Sequence, residues 1–337
     1  MELTMGSLPV ANVQALAAAS RDVPERYIRP EAGAHPVVAD CGVDIPVIDF
    51  SRFLDPNSSR DESSKLHLAC QNWGFFQVIN HTVPKEVIEK TKLDVREFFQ
   101  LPLEEKMQLA QVTGDVQGYG QLFVVSKDQK LDWADVLYLN TQPAPERCLR
   151  AALDNYSAEV KNLADRLLEI MAKNLELNPD VVTDKFKVGI QSVRFNYYPP
   201  CPQADKVLGF SQHSDADLIT LVLQVNQVQG LQIKRSGEWF PVKPLPGAFI
   251  VNVGDIFEIL SNGRYKSIEH RVVVNTERER LSIATFHSPK SNAMIGPLQE
   301  LVRGSGARYK TVNHEDFMKL FFSSKLDGKS FLDRMRY

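Results

Sequence analysis

Cysteine is scarce in this 337-residue chain, and the positions of the four cysteines exclude two common uses of the residue. Cys41, Cys70, Cys148 and Cys201 lie far apart, so no two of them have the C-x-x-C spacing of a zinc knuckle or a redox pair. Scattered single cysteines are typical of a reducing compartment. We therefore expect a cytoplasmic protein.

The chain also lacks a long hydrophobic run and an excess of positive charge. The apolar stretch 247–260 is too short to span a bilayer, and it contains Asn252, Asp255 and Glu258. The opening residues have no basic segment ahead of an apolar one, so they predict no signal peptide. The formal net charge of −3 favours neither nucleic acid nor an anionic membrane as a partner, and a small molecule is the better expectation.

Helical and strand-like patterns are unevenly distributed along the chain. Apolar residues recur at helical spacing in the first half, whereas short strand-like runs with Gly and Pro turns follow from about residue 191. The predicted helices are 10–19, 64–72, 84–99, 157–175 and 314–322, with a loop over 51–64. The predicted strands are 45–50, 73–79, 192–198, 218–225, 231–234, 248–253, 270–275 and 281–286. Many short strands of this kind predict a β-sandwich or barrel.

We divide the chain into four regions on this basis. Residues 1–110 form an N-terminal region of helices and strands, and residues 111–185 form a connecting segment with a long helix. Residues 186–300 form the β-rich core, and residues 301–337 form a helical tail. The sequence contains no internal repeat and no low-complexity tract.

Two His-x-Asp motifs occur, and they differ in what surrounds them. His314 and Asp316 follow a predicted helix cap, where acidic residues favour the helix dipole, so we interpret this motif as structural. His213 and Asp215 lie in the β-rich region and have another histidine downstream, His270. The second arrangement is the better candidate for a metal site.

Three side chains of this region can converge on one metal ion. Residues two apart in a strand point the same way, so His213 and Asp215 can bind from one strand and His270 from another. Two imidazoles and one carboxylate leave three positions open, which suits iron(II) that must also bind a chelating co-substrate and O₂. Four other histidines lack such partners and are interpreted as structural: His35, His67, His81 and His287. His287 is a partial exception, because it follows Phe286 on a predicted strand of the site.

Arg280 lies ten residues after His270 and is followed by Ser282. These two side chains can bind an acidic co-substrate. The dianion 2-oxoglutarate can chelate iron through its 2-oxo acid end, and its distal carboxylate then needs a fixed counter-charge. A guanidinium offers that carboxylate two parallel hydrogen bonds, and Ser282 lies on the same strand face. Arg278 has the same parity, but the charged turn around it favours a solvated side chain.

Taken together, these motifs resemble the plant 2-oxoglutarate- and iron(II)-dependent dioxygenases of specialised and hormone metabolism. The similarity extends over nearly the whole chain and is most evident for the senescence-related, codeine-demethylase-like and norcoclaurine-synthase-like branch. The matching segments are 45–49, 73–81, 196–202, 213–215, 230–232, 252–255, 261–263, 270–271 and 280–282.

The resemblance implies a mainly β fold with flanking helices, built on a distorted double-stranded β-helix, or jelly roll. It implies iron(II), 2-oxoglutarate as co-substrate, ascorbate as reductant, and O₂ and a small organic molecule as partners. That molecule would be hydroxylated or O-demethylated with release of succinate and CO₂. It further implies that Asn196 and Tyr198 contact 2-oxoglutarate, and that Phe286, Tyr119 and Phe123 line the substrate pocket unless they only pack in the core. A monomer is the default expectation.

The sequence departs from the family pattern at two places. Family members carry a longer segment with proline and aromatic residues between the positions of Arg150 and Ala151, and its absence here predicts an altered lid. Gln212 replaces a proline that is frequent in relatives, with little expected effect on metal binding. Two other interpretations remain open. One is an aminocyclopropane-carboxylate-oxidase-like enzyme that does not use 2-oxoglutarate, and the other is a ligand-binding relative without catalysis.

Overall fold

A computed structural model describes residues 7–30, 32, 44–112, 114–142, 150–178, 189–304 and 306–337. Within these residues two β-sheets form the centre of the molecule, and a helical layer packs on the larger sheet. None of the helices in these ranges combines the length and apolar character needed to cross a bilayer.

Among the described residues all five predicted helices form, and four short helices were not predicted. In chain order they are α1 (Val13–Ala19), α2 (Ser59–Asn72), α3 (Lys85–Gln100), α4 (Leu103–Met107), α5 (Arg150–Asn174), α6 (Asp255–Leu260), α7 (Gln299–Val302), α8 (His314–Phe322) and α9 (Ser330–Asp333). Asn313 caps α8, because its side chain accepts a hydrogen bond from the Glu315 N–H. The loop predicted over 51–64 is wrong in its second part, since α2 begins at Ser59 with two acidic residues in its first turn.

The strands form two principal sheets. They are β1 (Val47–Asp49), β2 (Phe75–Ile79), β3 (Gly118–Gly120), β4 (Asp135–Gln142), β5 (Ile190–Tyr198), β6 (Phe210–His213), β7 (Ile219–Gln224), β8 (Leu231–Arg235), β9 (Glu238–Pro241), β10 (Phe249–Val253), β11 (His270–Val272), β12 (Arg280–Ser288), β13 (Met294–Ile295) and β14 (Val312–Asn313). The major sheet has the order β1-β2-β10-β7-β12-β5-β4-β3, and the minor sheet has the order β6-β11-β8-β9. Neighbouring strands are antiparallel except for β1 and β2. This mainly β architecture with flanking helices confirms the predicted jelly roll, although neither sheet closes on itself.

Strand β12 has two faces with different functions. Its odd-numbered residues face α5, as shown by the 3.2 Å distance between Thr285 Oγ1 and the Tyr156 hydroxyl. Residues alternate in a strand, so the even-numbered residues from Arg280 to Phe286 face the space between the two sheets. All nine residues of the strand are buried. The strand therefore contributes to the core on one side and to an interior cavity on the other.

A buried polar network joins α5 to the outer face of the major sheet. Gln191 accepts hydrogen bonds from the hydroxyls of Ser157 and Thr141. Its Nε2 lies 3.1 Å from Nε2 of His287, which is on the odd-numbered face of β12. Burial lowers the pKa of His287 to about 3, so the ring is neutral. His287 thus belongs to this network and not to the interior cavity, as the structural interpretation predicts.

The two ends of the described chain are held against the sheets. Asp135 on β4 accepts hydrogen bonds from the N–H groups of Val13 and Gln14, at 2.9 and 2.7 Å, and so fixes α1. Near the other end, the Gly328 N–H donates to the Gln212 carbonyl at 3.0 Å and borders β6. The chain around Gly328 therefore lies along β6, at the edge of the minor sheet.

Candidate metal centre and substrate pocket

His213, Asp215 and His270 meet in the interior, at or just after the paired strands β6 and β11 of the minor sheet. Their potential ligand atoms lie within 4.8 Å of one another, and this is the one such group of three or more in the described residues. His213 ends β6 and pairs with His270, which begins β11. The expectation of a single strand carrying two ligands is wrong, because β6 ends at His213 and Asp215 lies in the following turn. A hydrogen bond of 2.7 Å from the Asp255 N–H to the Asp215 carbonyl holds that turn.

Both imidazole rings are oriented by backbone carbonyls. Nδ1 of His213 lies 2.8 Å from the Ser211 carbonyl, and Nδ1 of His270 lies 3.2 Å from the Ile268 carbonyl. A carbonyl only accepts, so each Nδ1 carries the hydrogen and each Nε2 has a free lone pair. Both lone pairs face Asp215 Oδ1, at 3.3 Å for His213 and 3.6 Å for His270.

Ionisation prepares these residues for metal binding. Burial is the largest influence on Asp215 and opposes its charge, but His270 and His213 outweigh it and hold the pKa of Asp215 below its usual range. Burial, followed by the neighbouring His213, lowers the pKa of His270 to about 4. At neutral pH the set therefore provides a carboxylate and a neutral imidazole, the forms that bind metals.

The site fits a divalent transition metal. Nε2 of His213 is buried and has no hydrogen-bond partner among the described residues, which is costly unless another group occupies the space. Two ligands at right angles, each about 2.1 Å from an ion, are about 3 Å apart, close to the separations seen here. Two histidines and one carboxylate with open positions suit non-haem iron(II).

Four further residues meet on the interior face of the major sheet. Arg280 pairs with Tyr198, and Ser282 pairs with Asn196, across the antiparallel strands β12 and β5. The Arg280 guanidinium lies 5.2 Å from the Tyr198 ring centre, and its Nη1 donates to Ser282 Oγ at 3.3 Å. The structure therefore brings together the four residues that the sequence and the resemblance nominate for 2-oxoglutarate.

This group has unsatisfied hydrogen-bonding capacity. Nε of Arg280 and Oδ1 of Asn196 are buried without partners in the described part of the chain. Gln224, which sequence reasoning missed, accepts from Nη2 of Arg280 at 3.0 Å and fixes the guanidinium. A β-carbon at Gly230 would lie 2.8 Å from Cδ of Arg280, so only glycine leaves room for this side chain. A buried, oriented cation with free donors suits an acidic ligand.

An aromatic pocket adjoins the metal ligands on the other side. It contains Phe286 and Phe123, as the resemblance implies, but not Tyr119, which packs against Phe98 and Phe99. Sequence reasoning missed most of the lining, which comes from separate elements and forms no motif. The missed residues are Leu122, Tyr138, Arg194, Ala216, Asp217, Met318, Phe321 and Phe322.

The pocket is nearly closed in this structure. Phe123 stacks on Phe322 with ring centres 5.5 Å apart and meets Phe321 edge-on at 5.4 Å. The free space is about 20 Å³, far below the roughly 300 Å³ that organic ligands need. Leu122 and Phe123 also line a larger polar cavity of about 410 Å³. Binding of a substrate therefore requires these aromatic rings to move.

The other histidines lie away from the metal-binding group or outside the described residues. His314 and Asp316 lie in the first turn of α8 and form no metal cluster with a third described residue. His67 contacts the Tyr265 hydroxyl, and His81 contacts the Gly247 carbonyl. His35 lies outside the described residues, as do residues 143–149, which precede the junction at which the sequence predicts a shortened lid.

Known proteins share both the sequence and the fold. Residues 189–289 match the 2OG-Fe(II) oxygenase superfamily, and residues 45–158 match the N-terminal segment described as non-haem dioxygenase in morphine synthesis. A rice protein, 2-oxoglutarate-dependent dioxygenase 11 of Oryza sativa subsp. japonica, is 48% identical over 97% of this chain and 96% of its own. Codeine O-demethylase of Papaver somniferum is 43% identical over 98% of this chain and 96% of its own.

A solved structure agrees with these relationships. The crystal structure of JOX2 in complex with 2OG, Fe and JA is 36% identical in sequence, with a TM-score of 0.89 and 98% of each chain covered. The relatives confirm the branch that the motifs indicate, and the bound groups in JOX2 support iron and 2-oxoglutarate as the family's cofactor and co-substrate. On its motifs, its fold and these similarities, this chain belongs to the 2OG-Fe(II) oxygenase superfamily.

Proposed function

We propose that this chain oxidises a small organic molecule while 2-oxoglutarate is decarboxylated to succinate. His213, Asp215 and His270 would hold iron(II). Arg280 and Ser282 would hold the distal carboxylate of 2-oxoglutarate. One observation carries the proposal: a buried guanidinium with a free Nε shares an interior with a two-histidine, one-carboxylate cluster. Asn196 and Tyr198 complete the co-substrate site beside Arg280.

The roles of the residues follow from their positions. Bound iron(II) supplies the activation of O₂ that oxidises a C–H bond, with one oxygen atom entering the substrate and the other entering succinate. Arg280, fixed by Gln224, orients 2-oxoglutarate with its 2-oxo acid end towards the cluster. Phe286 and Phe123 exclude water from the adjoining pocket. If the oxidised carbon is a methyl group on an ether oxygen, loss of formaldehyde then gives O-demethylation, the activity in the name of the poppy relative.

Three finer assignments accompany the proposal. Ascorbate is the reductant that keeps the iron ferrous, the protein is monomeric, and it is located in the cytoplasm. Cys70 and Cys201 are buried and unpaired, which supports a reducing compartment, while Cys41 and Cys148 lie outside the described residues.

The test is succinate release by the purified protein with iron(II), ascorbate and 2-oxoglutarate. Arg280→Ala should raise the KM for 2-oxoglutarate by roughly 100-fold, because loss of a buried charge partner costs about 3 kcal/mol. Arg278→Ala is the matched control, since Arg278 is an exposed arginine two residues away and should behave as the wild type.

The outcomes separate the proposal from its alternatives. Oxygen uptake that needs no 2-oxoglutarate would favour the aminocyclopropane-carboxylate-oxidase-like interpretation. Binding of iron and 2-oxoglutarate without succinate, across a panel of phenolic and alkaloid substrates, would favour the ligand-binding interpretation. Equal KM values for Arg280→Ala and the wild type would overturn the assignment of the co-substrate site.

A further inference from the structure

One glycine near the C-terminus lies against both histidine-bearing segments of the minor sheet. The Gly328 N–H donates to the carbonyl of Gln212 at 3.0 Å, one residue before His213. A β-carbon at Gly328 would lie 3.0 Å from a carboxylate oxygen of Glu269, which is the residue before His270. This part of the chain therefore lies between the residues that precede the two proposed histidine ligands.

The next residue along the chain, Lys329, helps to hold the backbone of Ser267. The Ser267 N–H donates to Oε2 of Glu258 at 2.7 Å, and the Ser267 carbonyl accepts from Nζ of Lys329 at 2.6 Å. Nζ of Lys329 also donates to Oε2 of Glu258 at 2.9 Å, so the three residues form a closed set of hydrogen bonds. Ser267 is 1% exposed and Glu258 2%, and hydrogen bonds to ionised groups are stronger than those between neutral ones.

These bonds fix the chain just ahead of β11. Residues 266–269 belong to no helix or strand, so their position depends on individual hydrogen bonds. The carbonyl of Ile268, the residue after Ser267, lies 3.2 Å from Nδ1 of His270 and orients that ring. The ring centres of His213 and His270 are only 4.1 Å apart across the strand pair. A shift of the backbone at Ile268 would therefore change the separation of the two Nε2 atoms.

We propose that Lys329 is a positioning residue for the metal centre, which fixes the orientation of His270 through the backbone of Ser267. This rests on the proposed function, in which His270 holds iron(II). Without the ammonium, the Ser267 carbonyl loses its donor, and the peptide that joins Ser267 to Ile268 loses an anchor. The acceptor of the His270 Nδ1 hydrogen then becomes mobile, and the ligand is no longer pre-oriented for the ion.

The experiment measures the affinity of the full chain for iron(II), without O₂ or substrate, by competition with a colorimetric chelator. Lys329→Met keeps most of the apolar side chain but removes the donor. It should weaken binding by about tenfold, the lower end of the range for residues that orient a metal ligand. Lys329→Arg supplies another cationic donor and should restore most of the lost affinity.

Two control variants separate positioning from general effects. Arg336 lies 3.5 Å from the other carboxylate oxygen of Glu258 but makes no hydrogen bond to Ser267 among the described residues. Arg336→Met therefore removes a neighbouring cation and should keep the wild-type affinity. Leu167 is fully buried on α5, so Leu167→Ala lowers stability away from the metal centre and should also keep that affinity.

A further variant serves if Lys329→Met folds poorly. The double variant Glu258→Gln/Lys329→Met leaves no buried charge without its partner. The glutamine still offers an acceptor to the Ser267 N–H, but the Ser267 carbonyl remains without the Lys329 donor. This variant should therefore show the same loss of iron affinity as Lys329→Met.

The proposal is overturned if removal of the Lys329 ammonium leaves the iron affinity unchanged. It is also overturned if Arg336→Met or Leu167→Ala loses as much affinity, or if Lys329→Arg restores none. His270→Ala is titrated in the same assay and should abolish binding at this site. If the wild type does not bind iron, or binds it equally after His270→Ala, the proposed function itself fails.

Discussion

Thr220 Oγ1 donates a hydrogen bond of 2.6 Å to Oδ2 of Asp215, and this contact decides which carboxylate oxygen faces the two imidazoles. Asn252 Nδ2 donates to the same oxygen at 2.7 Å. Oδ1 therefore remains free on the side of His213 and His270. Thr220 lies on β7 and Asn252 on β10, so the major sheet orients a side chain that follows a strand of the minor sheet.

We predict that Thr220→Val lowers the affinity for iron(II) by about tenfold or more, because the residues behind a metal ligand fix its orientation. The affinity is measured by competition with a colorimetric chelator. Thr285→Val is the control, since Thr285 is also buried in the major sheet but its hydroxyl contacts Tyr156 on the outer face. Equal affinities for Thr220→Val and Thr285→Val would show that the hydrogen bond to Asp215 does not orient the ligand.

Asp135 should make stability depend on pH. Burial raises the pKa of the Asp135 carboxyl to about 6. The hydrogen bonds from the N–H groups of Val13 and Gln14 favour the charged form and lower this pKa, but they do not outweigh burial. A carboxyl whose pKa is higher in the folded state stabilises the fold below its unfolded pKa, and this contribution is lost as the pH rises through about 6.

Asp135→Asn removes this titration. The free energy of unfolding of the wild type minus that of Asp135→Asn should fall by up to about 3 kcal/mol between about pH 4 and pH 7. Urea denaturation across that range measures the difference. A difference that stays constant or rises with pH would contradict the raised pKa.

Glu258 holds the C-terminal tail. It is 2% exposed and accepts from Lys329 Nζ at 2.9 Å and from the Tyr309 hydroxyl at 2.7 Å. Burial opposes its charge, but Lys329 and Tyr309 outweigh it and lower the pKa of Glu258. Lys329→Met should therefore destabilise the fold by about 2 kcal/mol, because it leaves a buried carboxylate without its nearest cation.

A double-mutant cycle tests this pair. The double variant Glu258→Gln/Lys329→Met should lose less unfolding free energy than the two single variants lose in sum, since no uncompensated charge remains. Lys319→Met is the control, because Lys319 pairs with Glu315 at the surface and such pairs contribute little. Additive losses in the cycle would show that the two residues are not coupled.

Phe123 is held in a backbone conformation that glycine tolerates better, with φ of 63°. Phe123→Gly should therefore be more stable than Phe123→Ala by about 1 kcal/mol, the reverse of the usual order. Thermal unfolding of the two variants gives the comparison. The neighbouring Leu122 has no positive φ, so Leu122→Ala should be more stable than Leu122→Gly. The same order at both positions would mean that the strain at Phe123 is not stored in its backbone.

The sequence predicts the site's polar groups better than its walls. Arg280 and Ser282 are predictable because strand alternation places them on one face of β12. The wall residues Phe321 and Phe322 are not, because α8 reaches the pocket through tertiary packing that leaves no local pattern. The predicted strands also omit β3, β4, β6, β9, β13 and β14, since these strands are short or carry glycine, proline or polar residues that weaken the alternation. The division of the chain into four regions stays a prediction, although β1 to β4 show that strands of the major sheet also come from residues before 186.

The pairing of β2 with β10 has a consequence for how the chain is made. Phe76 lies opposite Val251, and β2 has only the three-residue β1 as its other neighbour. During synthesis, the edge of the buried β2 that pairs with β10 stays exposed until most of the chain has been made, because β10 lies far downstream in the sequence. Folding dominated by such distant contacts is slow. Yield of native protein should therefore depend on chaperones and on low temperature during expression, more than on the final stability of the folded chain.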